Sequence, residues 1–522
     1  MPSIQVEIGK ETRFIEAAEG SNLLTALLAD GIDDIPSTCG GRGTCKKCKV
    51  ELLPGASAEP EVVLACQTRV TQNLTVRILP ERGMEINADL GNAQFGNDLP
   101  FELPAETRQA YGIAVDIGTT TVVAMLFDLM EGPRSLAVFR ERNLEKQFGA
   151  DVISRIDYSN HHGVAPVTDL IRKQIATMVR QLLRENHVAI QDLYGYSIAG
   201  NTVMQHYMAG FDPQGIGVAP FKVQSLFGEV WQARDFGLPG ADGCTVYFLP
   251  AIAGYVGGDI TGGILATGMQ EGESMAALLD IGTNGEIVIG NSSRMSSCAT
   301  AAGPAFEGAE IEQGLPIVPG AITHVDLAGD RLELEIYQSK TPIGFCGSGL
   351  IDALAVVLEL GLVEESGRII DPADSPPEWA WMLGEREGSP VLWFTADESI
   401  YLSQKDIRQL QLAKAAIAAG FKTLLEFLKL DADNLDILYL AGGFGSKVRS
   451  SSLVRIGLIP PEFGSKAQAV GNTALQGAAM ALASNAARRR LAEIREHCSY
   501  IELSNTPEFV EHYLEGMFFS KP

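Results

Sequence analysis

Aromatic residues make up only 7% of this 522-residue chain, which holds four tryptophans and seven histidines. Cations are also scarce: 40 lysines and arginines stand against 65 aspartates and glutamates, a formal charge of −25. A chain this acidic is repelled by nucleic acid and by anionic lipid, so neither is expected as a partner. No uninterrupted apolar run reaches the roughly eighteen residues that a membrane-spanning helix needs. The start, Met1-Pro2-Ser3-Ile4-Gln5-Val6-Glu7, has neither the basic end nor the apolar core of a secretion signal. A cytoplasmic location, with no membrane partner, is the expectation. The G-x4-G-K-[ST] pattern is absent too, so a P-loop fold is not a source of nucleotide binding here.

Cysteine is sparse and unevenly placed. Cys244, Cys298, Cys346 and Cys498 lie singly along the chain, whereas the other four crowd the first seventy residues. Grouped cysteines in a large acidic chain point to metal ligation in a reducing compartment, not to a disulfide framework. What remains is ordinary for a globular protein: 46% hydrophobic residues, 20% charged and 55 glycines. The length exceeds one common core, so two to four domains are expected.

The four grouped cysteines read Cys39-x5-Cys45-x2-Cys48-x17-Cys66, within Cys39-Gly-Gly-Arg-Gly-Thr-Cys45-Lys-Lys-Cys48. Zinc favours paired C-x2-C knuckles, and only one such pair is present. The alternative is a 2Fe-2S cluster, whose plant-type loop has similar spacing with four residues, not five, in its first interval. Gly40, Gly41 and Gly43 would let the backbone wrap a cluster and aim N–H groups at its sulfurs. Around the motif, residues 4–8 alternate as a half-buried strand, Phe14-Ile15-Glu16 suggests a second, and residues 23–28 have helical periodicity with Ser21 as cap and Gly31 as stop. Residues 50–52 and 74–78 add strands. This α+β order suits the small mixed β-grasp sheet of a plant-type ferredoxin over residues 1–80. Arg42, Lys46, Lys47 and Lys49 oppose the global charge, either compensating thiolate charge or forming a basic docking patch. Residues 81–110 carry little periodicity and read as a linker.

Downstream, the run Asp116-Ile-Gly118-Thr119-Thr120-Thr121 follows an apolar strand. It recurs 164 residues later as Asp280-Ile-Gly282-Thr283-Asn284-Gly285-Glu286. A third apolar strand ends in Ala441-Gly442-Gly443-Phe444-Gly445. Each Asp ends a strand, where its carboxylate can face a cleft and hold Mg²⁺ or its water shell. The turn that follows offers backbone N–H groups and threonine hydroxyls to phosphate oxygens. The glycines at 442, 443 and 445, with Phe444 among them, leave room for a flat adenosine. One such hairpin is weak evidence; two with the glycine strand, in this order, are strong.

This set resembles the superfamily of acetate and sugar kinases, heat-shock chaperones and actin. The resemblance implies an RNase H-like, two-lobed α/β ATPase with ATP between lobes, here residues 111–255 and 256–522. Further segments narrow it: Gly149-Ala-Asp151, Gly200-Asn201-Thr202, Gly257-Gly258-Asp259, Gly303-Pro-Ala-Phe-Glu307-Gly, and Cys346-Gly347-Ser348-Gly349. With the ferredoxin head, nearly all of residues 1–485 resembles the reductive activators of corrinoid proteins. That resemblance implies ATP-dependent one-electron reduction of a Co(II) corrinoid protein to Co(I), fed by a low-potential electron donor, with a homodimer as one arrangement. By it Cys39, Cys45, Cys48 and Cys66 would ligate the cluster. Asp116 and Asp280 would hold Mg²⁺, and Asp259 would orient the attacking water or serve a structural end. The Gly347-Ser348-Gly349 turn, at an expected helix start, would touch nucleotide, whereas Cys346 is expected to be a small buried residue. The known architecture inserts a small domain between head and ATPase that this chain lacks. A second branch carries C-terminal four-iron clusters, for which the lone Cys498 is insufficient. Three other readings stay open: an electron donor to a dehydratase or ring reductase, a small-molecule kinase with a sensory ferredoxin, and a non-catalytic ATP switch.

Overall fold

The computed structural model describes residues 1–8, 11–30, 32, 35, 48–53, 61–78, 98–130, 133–443 and 447–519. Cys39, Cys45, Phe444 and Gly445, and most of the expected linker, lie outside them.

The head is one five-stranded mixed sheet. Strands β1 (Ser3–Ile8) and β2 (Glu11–Glu16) form a hairpin, helix α1 (Leu23–Ala29) follows, and β3 (Lys49–Leu52), β4 (Glu61–Leu64) and β5 (Leu74–Ile78) complete the order β2-β1-β5-β3-β4. Ile4, Val6 and Ile15 from the hairpin meet Leu23, Leu24 and Leu27 from α1, because alternation in a strand and a three-to-four spacing in a helix each collect apolar side chains on one face. The cap of α1 is Asn22, not Ser21: the Asn22 side chain accepts from the Thr25 amide. Asn22 also donates to the Cys66 carbonyl at 2.5 Å, tying the helix to the cysteine turn.

The body contains two six-stranded sheets with the same internal plan. In the first, β6 (Tyr111–Ile117), β7 (Thr121–Asp128) and β8 (Arg134–Arg142) form an antiparallel meander. After α2 (Val152–His162) and α3 (Ala165–Glu185), strand β9 (Leu193–Gly200) pairs parallel to β6. Helix α4 (Thr202–Ala209), the short β10 (Val230–Gln232) and β11 (Thr245–Phe248) close the order β10-β11-β9-β6-β7-β8.

After α5 (Gly258–Thr267) the plan repeats. Strands β12 (Ala276–Ile281), β13 (Gly285–Gly290) and β14 (Met295–Thr300) make the second meander. Between this meander and its parallel partners lies a subsidiary unit. It holds a sheet of β15 (Ala321–Ala328), β16 (Arg331–Ile336) and β17 (Gly344–Phe345), helix α6 (Gly347–Glu359), a sheet of β18 (Leu383–Arg386), β19 (Ser389–Trp393) and β20 (Tyr401–Ser403), and the long α7 (Gln404–Leu428). Then β21 (Ile437–Ala441), α8 (Ser450–Arg455) and β22 (Ala467–Gly471) extend the sheet, β21 running parallel to β12 and β22 parallel to β21. Helices α9 (Thr473–Ala483) and α10 (Asn485–His497), strand β23 (Cys498–Tyr500) and α11 (Pro507–Gly516) end the chain's described part. Each meander with its two parallel neighbours has one topology, so the body is a duplication.

Helices α5 and α9 join the halves. Their residues Ile260, Ile264, Leu475 and Ala478 share a core with Ala114 and Met125 of the first sheet and Leu278 and Val288 of the second. They approach so closely that a Cβ on Gly477 would lie 2.3 Å from the Gly262 Cα. Residues 98–110, expected to be linker, are docked on this core. Leu99, Phe101 and Leu103 are partly buried against it, and Asp98 accepts from Ser484 Oγ at 2.6 Å and the Ala486 amide at 2.8 Å, at the start of α10. No described helix is long and apolar enough to cross a membrane, and no disulfide joins the six described cysteines.

Candidate functional site

The duplicated hairpins converge. Asp116 is the last residue but one of β6 and Asp280 the last but one of β12, so the two carboxylates emerge at equivalent points of the two sheets. They line one cavity of about 230 Å³, together with Gly118, Thr119, Thr120, Thr121, Asp259, Gly282, Thr283, Asn284, Glu286, Gly347, Gly442 and Gly443. Each hairpin turn closes on itself: the Gly118 amide donates to the Thr121 carbonyl and the Gly282 amide to the Asn284 carbonyl, each at 3.0 Å. These two amides are thereby committed to the turn and not to a ligand. Gly442 is required where it stands. Its φ is +104°, and a Cβ there would meet the Ile281 carbonyl oxygen at 2.5 Å. Gly200 ends β9 in the same relation to Ile117, with a Cβ position 2.8 Å from that carbonyl oxygen.

Three of the residues expected at the site sit elsewhere. The Ser348 hydroxyl donates to the Thr323 carbonyl at 2.9 Å and is buried, and Gly349 is pressed against β15, where a Cβ would lie 2.1 Å from the Ile322 carbonyl oxygen. Of that turn only Gly347 reaches the cleft, because the first turn of α6 is sealed against β15. Gly285 begins β13 and faces Ile417 and Thr300 in the core. Cys346 is buried as expected, yet it also borders the cleft.

Charge in the cleft is one-sided. Asp116, Asp259, Asp280, Glu286 and Glu307 line it, and no lysine, arginine or histidine does among the described residues. Burial pushes the Asp116 carboxyl up to about 6 despite a 2.8 Å hydrogen bond from Asn472 Nδ2. Asp280 is pushed up to about 8, first by burial and then by the charges of Asp259, Asp116 and Glu307. Asp259 and Glu286 are raised by burial first and then by neighbouring carboxylates. Five desolvated carboxyl groups without a basic neighbour favour a multivalent cation, which would lower all of these values at once. The donor set is all oxygen and therefore suits Mg²⁺, although no described group of three such residues is already drawn together as a ligand cage.

Several contributors have no site role expected from sequence, although Asn201 and Glu307 stand in segments that carry the resemblance. Asn201 and Asn472 cap α4 and α9 with their carbonyl oxygens and turn their amides into the site, to Thr119 Oγ1 at 3.1 Å and to Asp116. A signal for both was present: the tripeptide Gly-Asn-Thr occurs at 200–202 and again at 471–473. Glu307 accepts from the hydroxyls of Thr120 and Thr283. Phe306, from the Gly303–Gly308 segment, joins Leu315, Pro316 and Ile317, which no local pattern announced, in an apolar wall. Beneath the first hairpin lies a fully buried ion pair, Arg155 to Glu145 at 3.1 Å. Arg155 also donates to the Thr119 carbonyl at 2.6 Å, and Asn143 donates to the Gly118 carbonyl at 2.9 Å, so the turn rests on a polar buttress.

In the head, Cys48 opens into β3 and Cys66 lies in the turn after β4. Both are buried, and the Cys66 amide donates to Cys48 Sγ at 3.4 Å. A buried cysteine sulfur that receives the backbone N–H of a second buried cysteine fits a cluster site. The other two cysteines of the motif are outside the described residues.

Comparison with known proteins agrees with this geometry. Residues 6–71 match the 2Fe-2S iron–sulfur cluster binding domain family, residues 111–272 the RACo middle region, and residues 274–522 the C-terminal domain of RACo, described as the ASKHA domain. An iron–sulfur head on a duplicated ASKHA body defines the class of protein. A solved structure called reductive activator for corrinoid, iron–sulfur protein superposes with a TM-score of 0.73 at 28% identity, covering 99% of this chain and 98% of its own. The corrinoid activation enzyme RamQ of Eubacterium limosum is 29% identical over 563 aligned positions, covering 92% of this chain and 93% of that protein. The [Co(II) methylated amine-specific corrinoid protein] reductase of Methanosarcina barkeri is 24% identical, over 70% of this chain and 68% of its own length. The chain is thus similar along nearly its whole length to reductive activators of corrinoid proteins.

Proposed function

We propose that this protein uses ATP to return a Co(II) corrinoid protein to Co(I), passing one electron through its head. The observation that carries the reading is the union in one chain of a buried cysteine pair at a cluster loop and two aspartate hairpins facing across one cleft. End-to-end similarity to a reductive activator supports it.

The residues divide the work. Cys39, Cys45, Cys48 and Cys66 would hold a 2Fe-2S cluster, which supplies a one-electron carrier when bound. Asp116 and Asp280 would hold Mg²⁺ or its water shell, and the cation supplies the positive charge that lets a polyphosphate enter so acidic a cleft. Thr119, Thr120, Thr121, Thr283 and Asn284 offer hydroxyl, amide and backbone donors to phosphate oxygens from both halves. Gly442, Gly443 and Gly347, which line the same cavity, would leave room for the nucleoside. Asp259, at the first turn of α5 and lining the same cavity, would position the attacking water.

Coupling has an energetic reason. Plant-type clusters sit near about −400 mV. Each ~100 mV by which an acceptor lies lower costs about 2.3 kcal/mol per electron. Differential binding of two partner states by a nucleotide-closed clamp supplies energies of that size.

The test mixes cluster-reconstituted protein, Mg²⁺-ATP, a low-potential reductant and Co(II) corrinoid proteins, and follows the Co(I) absorbance band. The expected result is a band that needs both nucleotide and the head, with free phosphate as product. Phosphate transferred to a small molecule, or Co(I) formed equally well without nucleotide, overturns the reading.

A further inference from the structure

The side chain of Glu307 lies where the two phosphate hairpins meet. Its Oε2 accepts from Thr120 Oγ1 at 2.8 Å and from Thr283 Oγ1 at 3.1 Å. Thr120 belongs to the β6–β7 hairpin of the first sheet and Thr283 to the β12–β13 hairpin of the second, so one carboxylate oxygen links the two halves at the mouth of the turn pair. Its other oxygen, Oε1, sits 3.6 Å from where a Cβ on Gly282 would be, flush against the second turn. A hydroxyl has one proton to donate. While both threonines give theirs to Glu307, neither can give it to a phosphate.

The geometry points to Glu307 as a clasp that stands in for the nucleotide's terminal phosphates when the cleft holds none. An anionic oxygen accepting two hydroxyl protons is chemically what a phosphate oxygen would be at that point, and its charge has the same sign. The clasp keeps the two hairpins in register in the absence of ligand. A polyphosphate must displace it, both by competing for the two hydroxyls and by repulsion. Exchange of an internal carboxylate for an external phosphate makes hairpin registration a property shared by the free and the fully charged states. A state holding a nucleotide too short to replace the carboxylate keeps the clasp shut. Glu307 would then be the residue by which the cleft discriminates nucleotides by phosphate number. This inference rests on the proposed nucleotide role of the cleft.

The experiment measures equilibrium binding of a non-hydrolysable ATP analogue, ADP and AMP, each with Mg²⁺, to the full chain and to its Glu307→Gln and Glu307→Ala variants. The clasp predicts that Glu307→Ala binds the triphosphate analogue about tenfold more tightly, that Glu307→Gln falls between, and that AMP affinity is unchanged. Without nucleotide, amide hydrogen exchange at residues 118–121 and 282–286 should quicken in both variants, a readout that does not depend on affinity. The body's melting transition reports whether each variant is folded, and the isosteric glutamine variant guards against collapse of the alanine one. Weaker triphosphate binding by the variants, or equal tightening for AMP, overturns the clasp while leaving the nucleotide reading intact. Absence of nucleotide binding by the unaltered chain overturns both.

Discussion

Asp280 is held in a conflict that only a ligand resolves. Burial and three neighbouring carboxylates raise its carboxyl to about 8, against an ordinary value of 3.8. The native state therefore binds more protons than the unfolded chain between those limits, and stability falls as pH rises through them. The contribution is fully present below pH ~4 and gone above about 8. Asp280→Asn removes the charge that must be desolvated. The expected result, read by thermal melts across pH without nucleotide, is a gain of about 1–3 kcal/mol at pH 8 that vanishes near pH 4. The same variant should lose ATP turnover, because stability and function pull on this side chain in opposite directions. In the head, Cys48→Ser should abolish the visible absorbance of the reconstituted cluster while ATP turnover survives. Reduction of Co(II) at the normal rate by that variant would remove the head from the electron route.

Elements place these residues, and their supports are where damage shows. The β6–β7 turn is carried on Arg155, whose guanidinium reaches Glu145, the Gly149 carbonyl and the Thr119 carbonyl with no exposure to solvent. Arg155→Leu leaves the Glu145 charge buried without a countercharge, with only Asn143 Nδ2 donating to it among the described residues, which costs about 3–5 kcal/mol. Denaturant unfolding should register that loss, with weakened nucleotide binding in whatever folded fraction remains. The crossing of α5 and α9 is the other sensitive joint. At Gly477 a side chain would strike the Gly262 backbone, not a yielding side-chain tip. Gly477→Val should therefore separate the halves, giving a strong fall in melting temperature and loss of ATP turnover together.

At the scale of the molecule, head and body own separate hydrophobic cores. Among the described residues the head cluster draws only on those between Ile4 and Ile78, and the α5–α9 core ties the two body sheets into one unit. Calorimetry should accordingly resolve two transitions. Mg²⁺-ATP should raise only the body transition, since a ligand stabilises what it binds. Loss of iron should lower only the head transition. A single transition shifted by both ligands would contradict this division. The docked segment 98–110 enters the body's account, because Asp98 bonds the start of α10 and Phe101 fits beside Gly195. A truncation at residue 110 should destabilise the body, whereas one at residue 97 should not.

Much of this protein is legible in its amino-acid sequence because the chemistry involved is local. The cysteine spacing, the repeated Asp-Ile-Gly-Thr and the apolar strands before each turn are short-range patterns, and strand alternation and turn geometry act over a few residues. The capping box that opens α7, Ser403 with Asp406, is of the same kind. Relations set by distant segments are not legible in that way. Glu307 meets Thr120 across 187 positions, and Asn472 meets Asp116 across 356. Ser348 faces β15 and part of the expected linker is docked, because each is claimed by a neighbour far along the chain. Hydrogen-bond partners and desolvation depend on which surfaces come together, and only the closed fold decides that.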